Sequence, residues 1–277
     1  MKKFEKTVIV TDLDGTFLDE REGLVKRNLD AIEYFKSHGG HFTIATGRVA
    51  EHAKGAVHGV ETMVNMPAIT CNGACLYDFR SGEPKKEYLF DYGLIIEIVE
   101  FVRKNYPSVG IRASAADYCF VSTTEDVKNP LLASDFERYR GTSNLIAPYG
   151  EWKGLSIYKI VLRIDESLID GAMDALKAYF GERVSVTQSW ATIIDIQLGG
   201  VNKGATMESY VREALGKDVT IYACGDHIND VEMLTCADVA VCPSNAHPRV
   251  KEICDLCLCT NSEGLIAELI ELIDREK

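Results

Sequence analysis

The run Thr7-Val8-Ile9-Val10-Thr11-Asp12-Leu13-Asp14-Gly15-Thr16 constrains the fold more than any other stretch of the chain. Its apolar, β-branched half reads as a buried strand, and Gly15 ends it by allowing a sharp turn. Asp12 and Asp14 therefore sit at the strand's C-terminal end, the edge of an open α/β sheet where ligands bind. Two carboxylates there repel each other unless something positive joins them, and a hard divalent ion such as Mg²⁺ is the usual solution.

Strand and helix patterns then alternate. Phe17–Leu24 is polar in the middle and apolar at its ends, which reads as a short hairpin flap. A helix is predicted over Lys26–His38, with Leu29, Ile32 and Phe35 on one face and Gly39-Gly40 stopping it. A second buried strand, His41–Ala45, runs into Thr46-Gly47-Arg48, and a third, Ala68–Cys71, ends at Asn72-Gly73-Ala74. This order predicts βαβ units and a parallel sheet. From about Gly82-Glu83-Pro84 the pattern becomes runs of strands between helices, which reads as α+β, and alternation returns after Gly199-Gly200. The fold class predicted is α/β: a Rossmann-like parallel-sheet core over residues 1–82 and 196–277, with an α+β domain inserted at 83–195.

Composition excludes several classes. The 277 residues, 46% hydrophobic and 26% charged, are those of a soluble globular protein of one large or two ordinary domains. A net charge of −12 argues against nucleic acid or an anionic membrane as the main partner. No membrane-length apolar stretch is present, and Met1-Lys2-Lys3 lacks the apolar run of a signal peptide, so the expected location is the cytoplasm. Nine cysteines lie mostly in apolar runs, as reduced core thiols do. Cys254-x-x-Cys257-x-Cys259 has no second ligand pair at tetrahedral spacing, and Leu256–Cys259 reads as a buried strand rather than a zinc site.

A lone strand-end aspartate is usually a turn cap. Asp12 keeps different company: Asp14-Gly15-Thr16 follows it, and Gly225-Asp226-His227-Ile228-Asn229-Asp230 ends another predicted strand. Thr46 also reads as a helix N-cap and Asn229 as a cap of the next helix. Lys203 starts a predicted helix, where a cation opposes the macrodipole and a plain surface lysine would be misplaced. The acidic run Asp19–Glu22 reads as a solvated flap.

Asp12-Leu13-Asp14-Gly15-Thr16 resembles the first motif of the haloacid dehalogenase-like superfamily of aspartate-nucleophile phosphatases. Thr46-Gly47 is similar to its second motif, Lys203 in Val201-Asn202-Lys203-Gly204 to its third, and Gly225-Asp226 through Asn229-Asp230 to its fourth. Ala45-Thr46-Gly47-Arg48, Asn72-Gly73-Ala74 and the long insert are similar to the Cof-type branch with a type IIB cap. The motifs lie in the core, and the cap is matched by position and α+β pattern alone.

The resemblance implies a Mg²⁺-dependent phosphatase of small phosphorylated metabolites, such as sugar phosphates. Asp12 would be the nucleophile and Asp14 the acid and base. An Asp at the second position, where the superfamily's ATPases carry Thr, speaks for hydrolysis. The ion would be held by Asp12, the backbone carbonyl of Asp14 and Asp226, with Asp230 ordering the ligands. Leu13, Thr46, Gly47, Lys203 and Asn229 would hold the phosphoryl oxygens. Arg48 and Asn72 would shape the site or serve the fold. Arg112, Tyr118, Lys159 and Trp190 are the insert's candidates for substrate contact, each with a structural reading beside it. A phosphomutase of the phosphomannomutase type and a non-catalytic sensor of a phosphometabolite are the alternatives. Neither the physiological substrate nor a monomer or dimer is written in these motifs.

Overall fold

A computed structural model describes residues 2–276; Met1 and Lys277 lie outside it. The chain divides into two units, Met1–Lys86 with Asn202–Lys277, and Glu87–Val201.

In the first unit, β1 (Thr7–Thr11) leads through the flap into α1 (Lys26–Ser37) and β2 (His41–Ile44). The short helices α2 (Ala50–Ala56) and α3 (Val60–Met63) follow. Then come β3 (Ala68–Thr70), β4 (Cys75–Asp78) and β5 (Glu83–Glu87). The Glu87–Val201 unit holds α4 (Tyr92–Asn105), β6 (Gly110–Ala115), β7 (Phe120–Ser122), α5 (Pro130–Arg138) and β8 (Asn144–Ile146). It continues with β9 (Ile157–Arg163), α6 (Ile169–Phe180), β10 (Val184–Trp190) and β11 (Ile193–Leu198). The chain then returns through α7 (Lys203–Leu215), β12 (Thr220–Cys224), α8 (Val231–Cys236), β13 (Val239–Pro243), α9 (Pro248–Lys251), β14 (Leu256–Leu258) and α10 (Leu265–Glu276).

Five parallel strands, in the order β14-β13-β12-β1-β2, form the first unit's main sheet. Successive residues of β1 face opposite sides. Ile9 joins the cluster with Ile32 and Phe35 of α1 and with Leu269 and Ile273 of α10, while Val8 and Val10 join Met207 and Val211 of α7. Burial on both faces explains why β1 reads as an unbroken apolar run. Asn28, rather than Leu29, is the fully buried residue of the first turn of α1, because its carbonyl oxygen accepts the Ala267 N–H at 3.0 Å near the exposed backbone start of α10.

Two strands differ from the sequence expectation. Ala68–Thr70 was expected in the parallel sheet, yet it reaches it through a single parallel bridge, Ala45–Ile69, and pairs antiparallel with β4 in a three-stranded sheet. The chain turns away at Thr46–Arg48, so the ladder beyond Ala45 stops after one pair. In that small sheet β5 is the edge, the place where Pro84 removes no needed ladder bond. Leu256–Leu258 is likewise an edge strand with Cys257 exposed, not the buried strand expected, because among the described residues β13 alone pairs with it in the sheet. None of the nine cysteines is in a disulfide.

The second unit is a six-stranded sheet, β10-β11-β9-β6-β7-β8, whose apolar face packs on α4 and α6. The sequence reading missed β8, a three-residue strand paired parallel to β7 and too short to show a period. No helix among the described residues is long and apolar enough to cross a membrane.

Candidate active site

The parallel register brings three strand ends to one edge. Thr11 pairs with Cys224 on one side and Ile44 on the other, so Asp12, Gly225-Asp226 and Ala45-Thr46 leave the sheet side by side. The Asp12 N–H donates to the Cys224 carbonyl at 2.9 Å, which fixes the first residue beyond β1 against β12. Residues 13–17 then form one wide turn closed by the Leu18 N–H on the Leu13 carbonyl at 2.9 Å. Gly15 is required here twice over. It has φ +82°, and a Cβ would lie 2.5 Å from Asp226 Oδ2. Thr16 comes out of the turn with its hydroxyl donating to Asp226 Oδ1 at 2.7 Å.

Lys203, 1% exposed at the first position of α7, lies between two carboxylates: its Nζ donates to Asp12 Oδ1 at 2.5 Å and to Asp230 Oδ1 at 2.7 Å. Asn202 caps the helix by accepting the Ala205 N–H at 2.7 Å. The mismatch of a cation at a helix start is thus resolved by two anions. Burial works against its charge, but Asp12 and Asp230 more than offset that and hold the ammonium well above the usual lysine range. Asp230 is also fixed from behind, because Oδ2 accepts the Asp226 and His227 N–H groups at 3.1 and 3.2 Å. Gly225 makes room, since a Cβ there would sit 2.5 Å from Asp230 Cβ.

The cluster is short of positive charge. Burial pushes the Asp12 carboxyl well above the ordinary carboxylate range; Lys203 opposes this, while Asp230, Asp226 and Asp14 add to it. Asp226 is pushed up to about 7, by burial first and then by Asp230. Asp12, Asp226 and Asp230 each bring one carboxylate oxygen within 4.8 Å of the others. An all-oxygen donor set that resists further negative charge fits a hard dication.

Arg48 closes the other side. Its Nε donates to Asp14 Oδ2 at 2.9 Å, a terminal nitrogen pairs with Asp14 Oδ1, and the same nitrogen reaches Glu22 Oε2 at 3.2 Å. Burial alone would lower the guanidinium, and Asp14 followed by Glu22 reverse it, raising Arg48 above the usual arginine range. The fork was invisible in the sequence, and so was the part of Glu22, which was expected to be solvated. The flap itself forms, through the antiparallel Leu18–Leu24 bridge and a left-handed Glu22 at φ +59°. Thr46 does not cap α2, which begins at Ala50; its hydroxyl accepts the Arg48 N–H at 3.2 Å and shapes the turn through Gly47. Asn72 is buried, left-handed at φ +54°, and donates its N–H to the Thr46 carbonyl at 2.9 Å. Asn229 is half-buried inside the short 228–230 turn rather than at a helix cap, and Leu13 is buried at the start of the wide turn. His227, lowered by burial, sets its ring edge-on to His247 at 5.7 Å.

The insert's candidates lie in the second unit. Arg112 is buried against Asp135 and the Phe120 ring, with 4.3 Å from guanidinium carbon to ring centre, and Lys159 is buried against Asp195. Tyr118 packs against the insert's apolar cluster, and Trp190 is 63% exposed at the end of β10. Thr16 carried no assigned role in the sequence reading, though its place directly after Gly15 was a signal.

The chain matches the haloacid dehalogenase-like hydrolase family over residues 9–270. It is 26% identical to the pyridoxal phosphate phosphatase YbhA of Escherichia coli, over 95% of this chain and 97% of that one. It is 24% identical to the 5-amino-6-(5-phospho-D-ribitylamino)uracil phosphatase YcsE of Bacillus subtilis, over 95% and 94%. Among solved structures, SMU.1108c of Streptococcus mutans shares the fold with a TM-score of 0.84 at 20% identity, covering 97% of this chain and 98% of that one. With four motifs converging on one sheet edge and that match spanning both units, the chain belongs to the haloacid dehalogenase-like hydrolase family, as a phosphoric monoester hydrolase.

Proposed function

We propose that the enzyme hydrolyses phosphomonoesters of small metabolites by transferring the phosphoryl group to Asp12 and then to water. The observation that carries this is Lys203, buried between Asp12 and Asp230 with Asp226 alongside. Asp12 is held in place by its backbone bond to Cys224 and by the ammonium on Oδ1, leaving a carboxylate oxygen for attack on phosphorus. Lys203, Thr46, Asn229 and the amides of Leu13 and Gly47 would take the phosphoryl oxygens, whose charge spreads in the transition state.

Asp14 would give its proton to the leaving oxygen and later take one from the attacking water. Arg48 holds it in a two-point grip, so the same side chain would set the direction in which Asp14 points. Asp12, Asp226 and the Asp14 backbone carbonyl would hold Mg²⁺, with Asp230 ordering them. When bound, the ion neutralises the carboxylates and the phosphoryl oxygens together. The insert would act as the cap that selects the alcohol part of the ester.

Phosphate release from sugar phosphates, nucleotides and pyridoxal phosphate, with Mg²⁺ and with EDTA, tests the reading. Release that needs the ion and no bisphosphate activator supports it; release undiminished by EDTA contradicts the metal's part. A protein that binds these esters without releasing phosphate contradicts the hydrolase mechanism.

A further inference from the structure

Cys254-x-x-Cys257 takes no part in the mechanism, yet the fold gives it a third sulfur. The parallel register of β13 with β14 sets Cys242 directly opposite Cys257, and the side chains of a register pair leave the sheet on the same face. The Cys242 thiol is in hydrogen-bond contact with the thiols of Cys254 and Cys257. Two hydrogen bonds fix the approach of β14: the Asp255 N–H donates to the Ala240 carbonyl at 2.9 Å, and the Ala240 N–H donates to Asp255 Oδ2 at 2.8 Å. All of these residues belong to the first unit. Cys259, next in the run, is engaged elsewhere, its thiol meeting Glu268.

Clustered thiols can pack, ligate a metal or be oxidised. Packing accounts for Cys242, which is 0% exposed, but not for Cys257, which is exposed on an edge strand. A structural metal site needs its ligands gathered around one point. Among the described residues Asp12, Asp226 and Asp230 bring three ligand atoms within 4.8 Å of one another, and these cysteines do not. A disulfide needs only two sulfurs, on Cα atoms about 4.4–6.8 Å apart. Neighbouring strands lie about 4.8 Å apart, so a register pair starts inside that window. β14 is an edge strand of three residues, which lets it make the small shift that brings two sulfurs into a bond.

We propose that Cys257 and Cys242 form a thiol-oxidation site, in which a hydroperoxide oxidises Cys257 and Cys242 closes the disulfide. With hydrogen peroxide, the Cys257 sulfur bonds to one oxygen as the O–O bond breaks, and the other oxygen leaves with the thiol proton as water. The Cys242 sulfur then attacks the sulfenic sulfur of Cys257. The S–S bond forms, the S–O bond breaks, and the hydroxyl leaves with the Cys242 proton as a second water. Two thiols lose two hydrogens and one peroxide becomes two waters. Exposure brings the oxidant to Cys257, and burial keeps Cys242 for the second step. Burial, and then the nearby Cys242, hold the Cys257 thiol above its ordinary range, so its sulfenic acid forms slowly and a trap beside it prevents further oxidation. The bond would join the support of the active-site edge. Cys242 follows Val241, whose carbonyl accepts the Gly225 N–H at 3.1 Å, and the loop after β13 sends the His247 N–H to the Asp226 carbonyl at 2.9 Å. The site does not depend on the phosphatase reading.

The test treats the reduced full-length protein with hydrogen peroxide and dimedone, blocks the remaining thiols with N-ethylmaleimide and maps peptides by mass spectrometry without reduction. The wild type is compared with Cys242→Ala and Cys257→Ser. A Cys242–Cys257 disulfide is expected in the wild type, reversed by dithiothreitol, with Cys242 left as a thiol in Cys257→Ser. In Cys242→Ala the sulfenic acid is no longer trapped, and dimedone labelling of Cys257 rises at least about fivefold. No reaction at Cys257, its oxidation without a bond to Cys242, or a Cys242–Cys254 disulfide in its place overturns the proposal. So does unchanged labelling in folded Cys242→Ala. If that variant does not fold, the wild type and Cys257→Ser, changed only at an exposed position, decide the outcome between them.

Discussion

The first unit and the insert each bury charge, and they balance it differently. At the sheet edge, Asp12, Asp14, Asp226 and Asp230 share Lys203 and Arg48. In the insert, Arg112 and Arg163 share Asp135 while Lys159 holds Asp195. One cluster is short of positive charge and the other is not. A buried group left short of its counter-charge is a demand for a ligand, and one with its counter-charge in place is a means of fixing a fold. In the core the demand is electrostatic and suits a dication. In the insert the ions are satisfied, and the unmet groups are neutral, an amide oxygen and a hydroxyl.

Breaking that comparison begins with Asp12. Asp12→Asn removes the attacking oxygen, and turnover is expected to fall by about four orders of magnitude while the melting temperature stays within a few degrees. Steady-state phosphate release and a thermal melt check both halves. Lys203→Met comes next: it leaves Asp12 and Asp230 buried without their cation and should cost about 3–5 kcal/mol of stability together with the activity. Adding Asp230→Asn to it should recover stability in denaturant titration and leave activity lost.

The matching change in the insert, Asp135→Asn, leaves Arg112 and Arg163 facing a neutral amide. It should cost about 1–3 kcal/mol with kcat changed by less than about threefold. A kcat collapse in Asp135→Asn without unfolding would erase the distinction between the two clusters.

The smallest expected effect is on pH dependence. Asp226 is raised to about 7 in the folded chain from an ordinary carboxylate value of 3.8. The folded form therefore holds more protons than the unfolded form between those values, and the stability it contributes is full below pH 3.8 and lost as pH rises through 7. Without metal, the melting temperature should fall across that window through this group, and Mg²⁺ at pH 8 should raise it again. Asp226→Asn should flatten both trends.

Much of the core was legible because its signals are local. β1 reads as buried because both its faces are buried, and Asp12 stands at a ligand edge because parallel register brings strand ends together. What escaped depends on the path of the chain in space. The grip of Arg48 on Asp14 joins residues 34 apart, and nothing near Glu22 announces that it completes the same contact. Ala68–Thr70 reads as one more parallel strand, since its residues are apolar whichever partner it takes. Gln197 and Thr187 look like ordinary members of alternating strands; only the hydrogen bonds they lack set them apart.

The central claim is that Asp12 carries the phosphoryl group. Stopping the reaction in acid during turnover, reducing with borohydride and mapping peptides by mass spectrometry tests it directly, because borohydride converts an aspartyl phosphate to homoserine. The account predicts homoserine at position 12, formed only with substrate and Mg²⁺ and absent in Asp12→Asn. Homoserine at another aspartate, or none at position 12 while phosphate is being released, would contradict it.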